Sequence, residues 1–230
     1  MKRNERHDTL IVAITPTWKS VTRIPDMIAL ANTLALERDL FWVVVDNSTD
    51  LTDILAEMME RTNLPSTLLS ALAKKGNSKA ALYNAGIKYV VRNADSLGKK
   101  YSKIVVYFAE MEYSYDRRLW DNFVRKVDKL GIWHVGRLGE DMNEVHDGFA
   151  HFDLANIAFN VDILSEKTGF SEKCDQSGWE FCFVRELNIS KEDVQYFENE
   201  TPEDYLVWHA PTGYEPFLYQ TSLFNFLVEV

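Results

Sequence analysis

Two acidic residues separated by one position directly follow a strongly apolar segment. Glu110-Met111-Glu112 comes at the end of Lys103–Ala109. Mg²⁺ and Mn²⁺ prefer oxygen ligands and often bridge one or two protein carboxylates to a diphosphate, so acids at this spacing suit a divalent cation. In a chain with 35 acidic residues, solvated charges at a strand end are the commoner explanation of such a pair.

Polar segments also follow two other predicted strands. Pro16-Thr17-Trp18 comes after Leu10–Ile14, and Asp46-Asn47 comes after Phe41–Val45. Ligands of open α/β sheets bind beyond the carboxyl ends of the strands, so we expect these segments to meet at one edge. No G-x-G-x-x-G or G-K-[ST] loop follows any strand, which disfavours dinucleotide binding of the Rossmann type and a P-loop.

Strands and helices alternate over the first 135 residues. Apolar residues at helical spacing predict helices, and short β-branched runs predict buried strands. This alternation predicts an α/β fold whose mostly parallel central sheet has helices on both faces. Beyond the strands named above, the predicted elements are helices over 24–35, 51–61, 79–92 and 116–130 and strands over 66–72, 103–109 and 132–135.

The second half of the chain is predicted to be mixed. Ala155–Val161 and Tyr205–His209 have the composition of strands, and Gly178–Leu187 that of a helix. No repeat or flexible linker separates them from the first half. We therefore expect one domain over residues 9–212 and an apolar C-terminal tail over 213–230.

Composition excludes several classes of protein. Twenty-five basic and 35 acidic residues give a net charge of 25 − 35 = −10, which argues against a nonspecific nucleic-acid binder. Two cysteines, Cys174 and Cys182, are too few for a disulfide scaffold or a four-cysteine zinc site. No apolar run approaches the roughly 20 residues of a membrane span, and no signal peptide is visible.

Several short motifs follow one another along the chain. They are Ile14–Trp18, Trp42–Asn47, Tyr83-Asn84-Ala85, Val106–Tyr115, Trp133–Gly136, Asp153–Ala158, Gly178-Trp179-Glu180 ahead of Arg185-Glu186-Leu187, and Leu206–His209. These motifs resemble those of the β1,3-glucuronosyltransferases, glycosyltransferase family 43, which has the GT-A fold. Their shared order and compatible spacing over about residues 9–212 make the resemblance fairly specific.

The resemblance implies an inverting glycosyltransferase that moves glucuronic acid from UDP-glucuronate to a galactose-terminated glycan in β1,3 linkage. Inversion needs a carboxylate that takes the acceptor's proton, and Glu180 matches the position of the family's base. Glu112 matches the acid that binds Mn²⁺, the implied cofactor. Asp153 matches an aspartate that holds the acceptor sugar.

The donor-binding positions are also implied by the resemblance. His209 matches a histidine that contacts the diphosphate, and Glu110 matches the first acid of the family's DDD motif. Asn47 lies where an aspartate reads uracil. The loop around the uridine matches Pro16, Thr17 and Trp18.

The sequence departs from the family pattern where charge matters most. Methionine at position 111 replaces an acid and is a poor ligand for a hard cation. Arginines that face the donor in the family fall at about Ser78 and at Tyr83, although Lys79 could replace one positive charge. A further family arginine, two residues after the matched histidine, falls at Pro211. Two alternatives therefore stay open: a weak or inactive member that acts as a glycan-binding or structural partner, and a transferase that uses another UDP-sugar such as UDP-xylose.

The family also implies a cellular setting. Its members usually form homodimers and are held in the Golgi membrane by an N-terminal anchor, so the resemblance predicts a lumenal Golgi location. Sequons at Asn47, Asn188 and Asn199 are weak support for a secretory location, since about 1.6 are expected by chance.

Overall fold

The structure, a computed structural model, describes residues 7–50, 53–72, 78–137, 154–170, 179–201 and 204–210. At 78, 137 and 179–182 it describes the backbone alone. The expected C-terminal tail lies outside the described residues, so the domain limits stay a prediction. No helix in the described part of the chain is long and apolar enough to cross a membrane.

A seven-stranded sheet forms the centre of the molecule, in the order β3-β2-β1-β4-β8-β6-β9. The first four of these strands are mutually parallel, β8 is antiparallel to both of its neighbours, and β9 is parallel to β6. The strands are β1 (Thr9–Thr17), β2 (Leu40–Asp46), β3 (Ser66–Ser70), β4 (Lys103–Phe108), β6 (Leu130–Trp133), β8 (Ile157–Asn160) and β9 (Val194–Phe197). The predicted mostly parallel sheet is confirmed.

Helices cover both faces of this sheet. Side chains alternate along a strand, so Trp42 and Val44 of β2 face one helix layer, while Val43 and Val45 face the other. The first layer holds α1, α2 and α4, and the second holds α3 and α5. The helices are α1 (Arg23–Leu34), α2 (Asp53–Thr62), α3 (Ser78–Gly98), α4 (Arg118–Asn122) and α5 (Trp179–Glu186).

Several elements have other bounds than the sequence prediction gave. Helix α3 runs to Gly98, six residues beyond its expected end, and β6 begins and ends two residues earlier than expected. The first strand continues to Thr17 because it pairs with β2 up to Thr17 and Asp46, whereas a loop was expected from Thr15. The helix expected over 116–130 ends at Asn122 and is followed by a 3₁₀ turn at Val124–Lys126. There the guanidinium of buried Arg125 donates to the carbonyls of Thr9 and Arg38, and these tertiary hydrogen bonds override local helix propensity.

A small second sheet was not predicted. It consists of β5 (Tyr113–Tyr115), β7 (Gly136–Arg137) and β10 (Val207–His209), in the order β5-β10-β7. Strands of two or three residues are too short to show a periodic pattern. This sheet brings the segment after β4 beside the segment that ends in His209.

Helix α3 packs closely on β1 through a glycine. A Cβ added at Gly86 would lie 2.6 Å from Ile14 Cγ2, and Ile14 is fully buried. The contact fixes the height of the α3 N-terminal turn over the carboxyl ends of β1 and β2.

Gly86→Ala should lower the free energy of unfolding by about 1–3 kcal/mol, because the added methyl overpacks the contact with Ile14. Urea unfolding followed by circular dichroism measures this. Gly98→Ala is the matched control on the same helix, since its Cβ would meet the flexible end of Ile104 at 3.1 Å. Equal losses in the two variants would contradict the close approach at Gly86.

Candidate functional site

An open cleft of about 520 Å³ lies at the carboxyl ends of β1 and β2, beside the start of α3. Trp18, Lys19, Asn47 and Lys79 line it. Trp18 and Lys19 follow β1, Asn47 follows β2, and Lys79 is the second residue of α3. The parallel strands thus bring together side chains from three segments at the edge where an α/β sheet binds its ligands.

A buried ion pair joins the two strand ends from which Trp18 and Asn47 follow. Arg23, at the start of α1, contacts Asp46 at the end of β2, and both side chains are almost fully buried. Arg23 Nε also donates to Thr17 Oγ1 at 3.1 Å, so the guanidinium joins the ends of β1 and β2. A positive charge at a helix N-terminus interacts unfavourably with the helix dipole. The pairing with Asp46 explains why Arg23 is nevertheless found there.

The residues predicted to contact the uridine divide between the interior and the cleft. Pro16 and Thr17 are buried, and Thr17 uses its hydroxyl within the interior. Trp18 and Asn47 are half-buried and face the cleft. A backbone hydrogen bond of 2.9 Å from Asn47 N to Thr17 O holds the two segments together.

Glu110 is engaged by two side chains. Its Oε2 lies 2.7 Å from Lys79 Nζ, and its Oε1 accepts from the Tyr83 hydroxyl. The Glu110 side chain is 7% exposed and that of Lys79 is 34% exposed. The ammonium therefore connects a buried carboxylate with the cleft. Lys79 Nζ also lies 5.6 Å from the centroid of the Trp18 ring, within cation–π range.

Tyr115 holds the backbone of Glu110 in place. Its hydroxyl donates to the Glu110 carbonyl at 2.8 Å. Burial raises the pKa of Tyr115 well above its usual value, and nearby Tyr107 and Glu110 add to the effect. The phenol therefore stays protonated at neutral pH and keeps its donor role.

The second sheet places Glu112 beside the end of β10. Ala210 N donates to Glu112 O at 3.0 Å, and Tyr113 pairs with His209, whose ring centroid is 4.8 Å away. The Glu112 carboxylate is half-buried and makes no hydrogen bond or ion pair with other described residues. The structure therefore brings the predicted metal ligand and the predicted diphosphate contact into one small unit.

The donor set fits a protein-built manganese centre poorly. Met111 is 6% exposed and packs in the core, where its Sδ accepts from Thr17 Oγ1 at 3.9 Å. Glu110 already holds Lys79 and Tyr83, which leaves Glu112 as the one carboxylate of the motif without such partners. Over the described ranges, no group of three or more His, Cys, Asp and Glu side chains could hold a metal ion.

Two predicted residues cannot be placed as side chains. Asp153 lies outside the described residues, and Glu180 is described only by its backbone, as the second residue of α5. The segment ahead of α5 is held by Asn84 of α3: Phe170 N donates to its Oδ1 at 2.6 Å, and its Nδ2 donates to Phe170 O at 3.0 Å. The roles of Glu180 and Asp153 stay predictions.

An exposed charge cluster anchors the segment that leads into β10. Arg118 donates to Asp116 and to Asp204, with the shortest distance 2.6 Å, from Nη1 to Asp204 Oδ2. Hydrogen bonds from Arg118 lower the pKa of both carboxyls below the usual value. The cluster ties the approach of β10, and with it His209, to the start of α4.

Sequence reasoning missed Arg23, Lys19 and the pairing of Tyr83 with Glu110. The available signal for Arg23 was a basic residue in the first turn of a helix that follows a strand, where acids are preferred. No comparable signal marked Lys19, whose position on the cleft depends on the backbone path after β1.

The sequence model of glycosyltransferase family 43 matches residues 30–213. Two curated relatives are similar over most of the chain. The galactosylgalactosylxylosylprotein 3-beta-glucuronosyltransferase sqv-8 of Caenorhabditis elegans is 25% identical, over 92% of this chain and 67% of the relative. The human galactosylgalactosylxylosylprotein 3-beta-glucuronosyltransferase 2 is 25% identical, over 88% and 69%.

Among solved structures, S. aureus TarS 1-349 in complex with UDP aligns with a TM-score of 0.58 at 13% identity. The alignment covers 87% of this chain but 60% of that one. The same protein with UDP-GlcNAc aligns with a TM-score of 0.56 at 12% identity, over 90% and 60%. These likenesses confirm the predicted GT-A-like nucleotide-diphospho-sugar transferase fold.

Arg23→Met should cost about 3–5 kcal/mol of unfolding free energy, because it leaves Asp46 charged and buried without its partner. The double variant Arg23→Met/Asp46→Asn removes that charge and should recover part of the loss. Urea titration measures both. Arg61→Met, which breaks an exposed pair with Glu57, is the control and should change stability by less than about 0.5 kcal/mol. A loss below about 1 kcal/mol in Arg23→Met would contradict the role of the pair.

Asp204→Asn should destabilise the protein at neutral pH, and the deficit should vanish in acid. The folded pKa values of Asp116 and Asp204 lie below the ordinary 3.8, so their contribution is present above that pH and is lost as pH falls through the folded values. Thermal melts of both proteins between pH 7 and pH 2 measure the difference. A deficit that does not change with pH would show that the carboxylate charge is not responsible.

Proposed function

Because the chain belongs to glycosyltransferase family 43, we propose that it transfers glucuronic acid from UDP-glucuronate to a galactose-terminated glycan. The observation that carries the donor half of the proposal is the cleft of Trp18, Lys19, Asn47 and Lys79. It combines an aromatic surface and an amide for a base with two ammonium groups for phosphates. The relatives' names specify a galactosylgalactosylxylosyl protein, which supports a glycan acceptor that ends in galactose.

The proposed reaction is a single displacement with inversion. The acceptor hydroxyl attacks the anomeric carbon, the bond from that carbon to the UDP oxygen breaks, and the acceptor's proton passes to a carboxylate base. We assign the base to Glu180 and the acceptor contact to Asp153. Negative charge accumulates on the leaving UDP, so the ammonium groups of Lys79 and Lys19 and the imidazole of His209 would act at that end.

The proposal retains only part of the expected manganese site. Glu112 is its one proposed protein ligand, because Glu110 and Met111 are engaged elsewhere. When bound, the ion would supply positive charge to the leaving diphosphate. A homodimer, an anchor and a lumenal Golgi location are further proposals that follow from the family.

A neutral donor such as UDP-xylose is a second candidate. Tyr83 occupies a position where the family has an arginine, and here the side chain is fully buried with its hydroxyl on Glu110. A buried phenol cannot pair with the carboxylate of a glucuronate. The donor site therefore has less positive charge for an acidic sugar than the family pattern would supply.

A member without turnover is the third candidate. One acid of the motif is replaced by the buried Met111, and Glu110 is engaged by Lys79, so two of the three motif positions offer no available carboxylate to the donor. Such a chain would bind glycans or another glycosyltransferase without releasing UDP.

The test is a UDP-release assay with UDP-glucuronate, UDP-xylose and UDP-GlcNAc and a galactose-terminated acceptor. We expect release with UDP-glucuronate, and Glu180→Gln should lower turnover by about 10²–10⁴-fold, the usual contribution of a general base. Glu186→Gln, at the exposed end of the same helix, is the matched control and should keep full activity.

Each other result selects an alternative. UDP release from UDP-xylose alone would favour the neutral-donor candidate. The absence of UDP release from each of the donors tested would favour the member without turnover. Unchanged turnover in Glu180→Gln would remove Glu180 as the base.

A further inference from the structure

We propose that Lys79 is a fixed cation for the donor diphosphate, so that a nucleoside diphosphate binds this cleft without a metal ion. The inference rests on the proposed function, since it takes a nucleoside diphosphate as the ligand. It concerns the source of positive charge at the site, which the altered acidic motif puts in question.

The position of Lys79 suits this role. Its side chain is one-third exposed and lines the cleft together with Trp18 and Asn47. Its ammonium donates to Glu110 Oε2 at 2.7 Å, which holds it beside the cleft. Lys79 is also the second residue of the 21-residue helix α3, whose N-terminal end carries partial positive charge. The lysine and the helix end therefore place positive charge at the same mouth of the cleft.

Glu110 serves as the counter-ion that holds this lysine. Both of its oxygens are engaged, Oε1 by the Tyr83 hydroxyl and Oε2 by Lys79. A metal ion at Glu110 would have to compete with Lys79 or Tyr83 for an oxygen of a side chain that is 7% exposed. The first acid of the motif thus orients a protein cation instead of binding a metal ion.

The local charge is needed because the chain as a whole is acidic. A net charge of −10 repels a nucleotide sugar, which brings two negative charges on its diphosphate. Lys19, exposed on the same cleft, adds a second ammonium. Unlike an arginine guanidinium, a lysine ammonium does not form a bidentate pair with a phosphate. We therefore expect it to contribute mainly as a point charge at the diphosphate.

The test is isothermal titration with UDP, in EDTA and in MnCl₂. Lys79→Met alone leaves Glu110 buried and uncompensated, so the main variant is Lys79→Met/Glu110→Gln, which removes both charges and keeps an acceptor for Tyr83. We expect wild type to bind UDP in EDTA and the double variant to bind it at least about tenfold more weakly. Uridine, which lacks the diphosphate, should bind both proteins equally.

Glu110→Gln separates a counter-ion from a metal ligand. It removes the negative charge beside Lys79, so UDP should bind more tightly than to wild type in EDTA. Lys88→Met is the matched control: it is exposed on the same helix, about 13 Å along the axis from Lys79, and should not change the affinity.

UDP binding that requires Mn²⁺ and is unchanged in the double variant would overturn the role of Lys79 while leaving the proposed function intact. Weaker UDP binding by Glu110→Gln in MnCl₂ alone would assign Glu110 to a metal. If UDP binds neither with Mn²⁺ nor without it, the proposed donor site itself fails.

Discussion

The buried pair of Arg23 and Asp46 is the constraint on which the site depends. It joins the start of α1 to the end of β2, and through Thr17 it also holds the end of β1. Trp18 and Asn47 are the next residues of these two strands, so their spacing follows from that contact. A buried pair adds little net stability but is costly to break. Its importance here is geometric, since it fixes where two loops leave the sheet.

Electrostatics around the cleft follow the same logic of pairing. Glu110 is buried and accepts hydrogen bonds from Lys79 and Tyr83. The exposed acids Asp116 and Asp204 both accept hydrogen bonds from Arg118. Lysines remain on the cleft itself. Although the chain has an excess of ten acids, the described residues around the cleft carry positive charge towards a ligand. Net charge therefore says little about what this site binds.

Much of the fold could be predicted from local patterns, and the site only in part. The apolar runs of β1, β2 and β4 and the helical spacing of α1 and α3 specify the parallel half of the sheet. The second sheet escaped prediction because its strands have at most three residues, and the helix expected over 116–130 ended early through the long-range hydrogen bonds of Arg125. Positions at strand ends were found from sequence. The pairing of Glu110 with Tyr83 and Lys79 of α3 joins residues 27 and 31 positions apart, which no local pattern contains.

The departures from the family motif can be understood together in this structure. A buried acid at position 110 needs partners, and Lys79 and Tyr83 supply them from positions at or beside those that the resemblance aligns with family arginines. Met111, next to it, fills the core beside Thr17, where a carboxylate would face an apolar environment. The contact that holds the Glu110 carboxylate in the interior also holds the Lys79 ammonium at the cleft. If Lys79 acts on the diphosphate as proposed, one ion pair therefore both satisfies the buried acid and positions the cation.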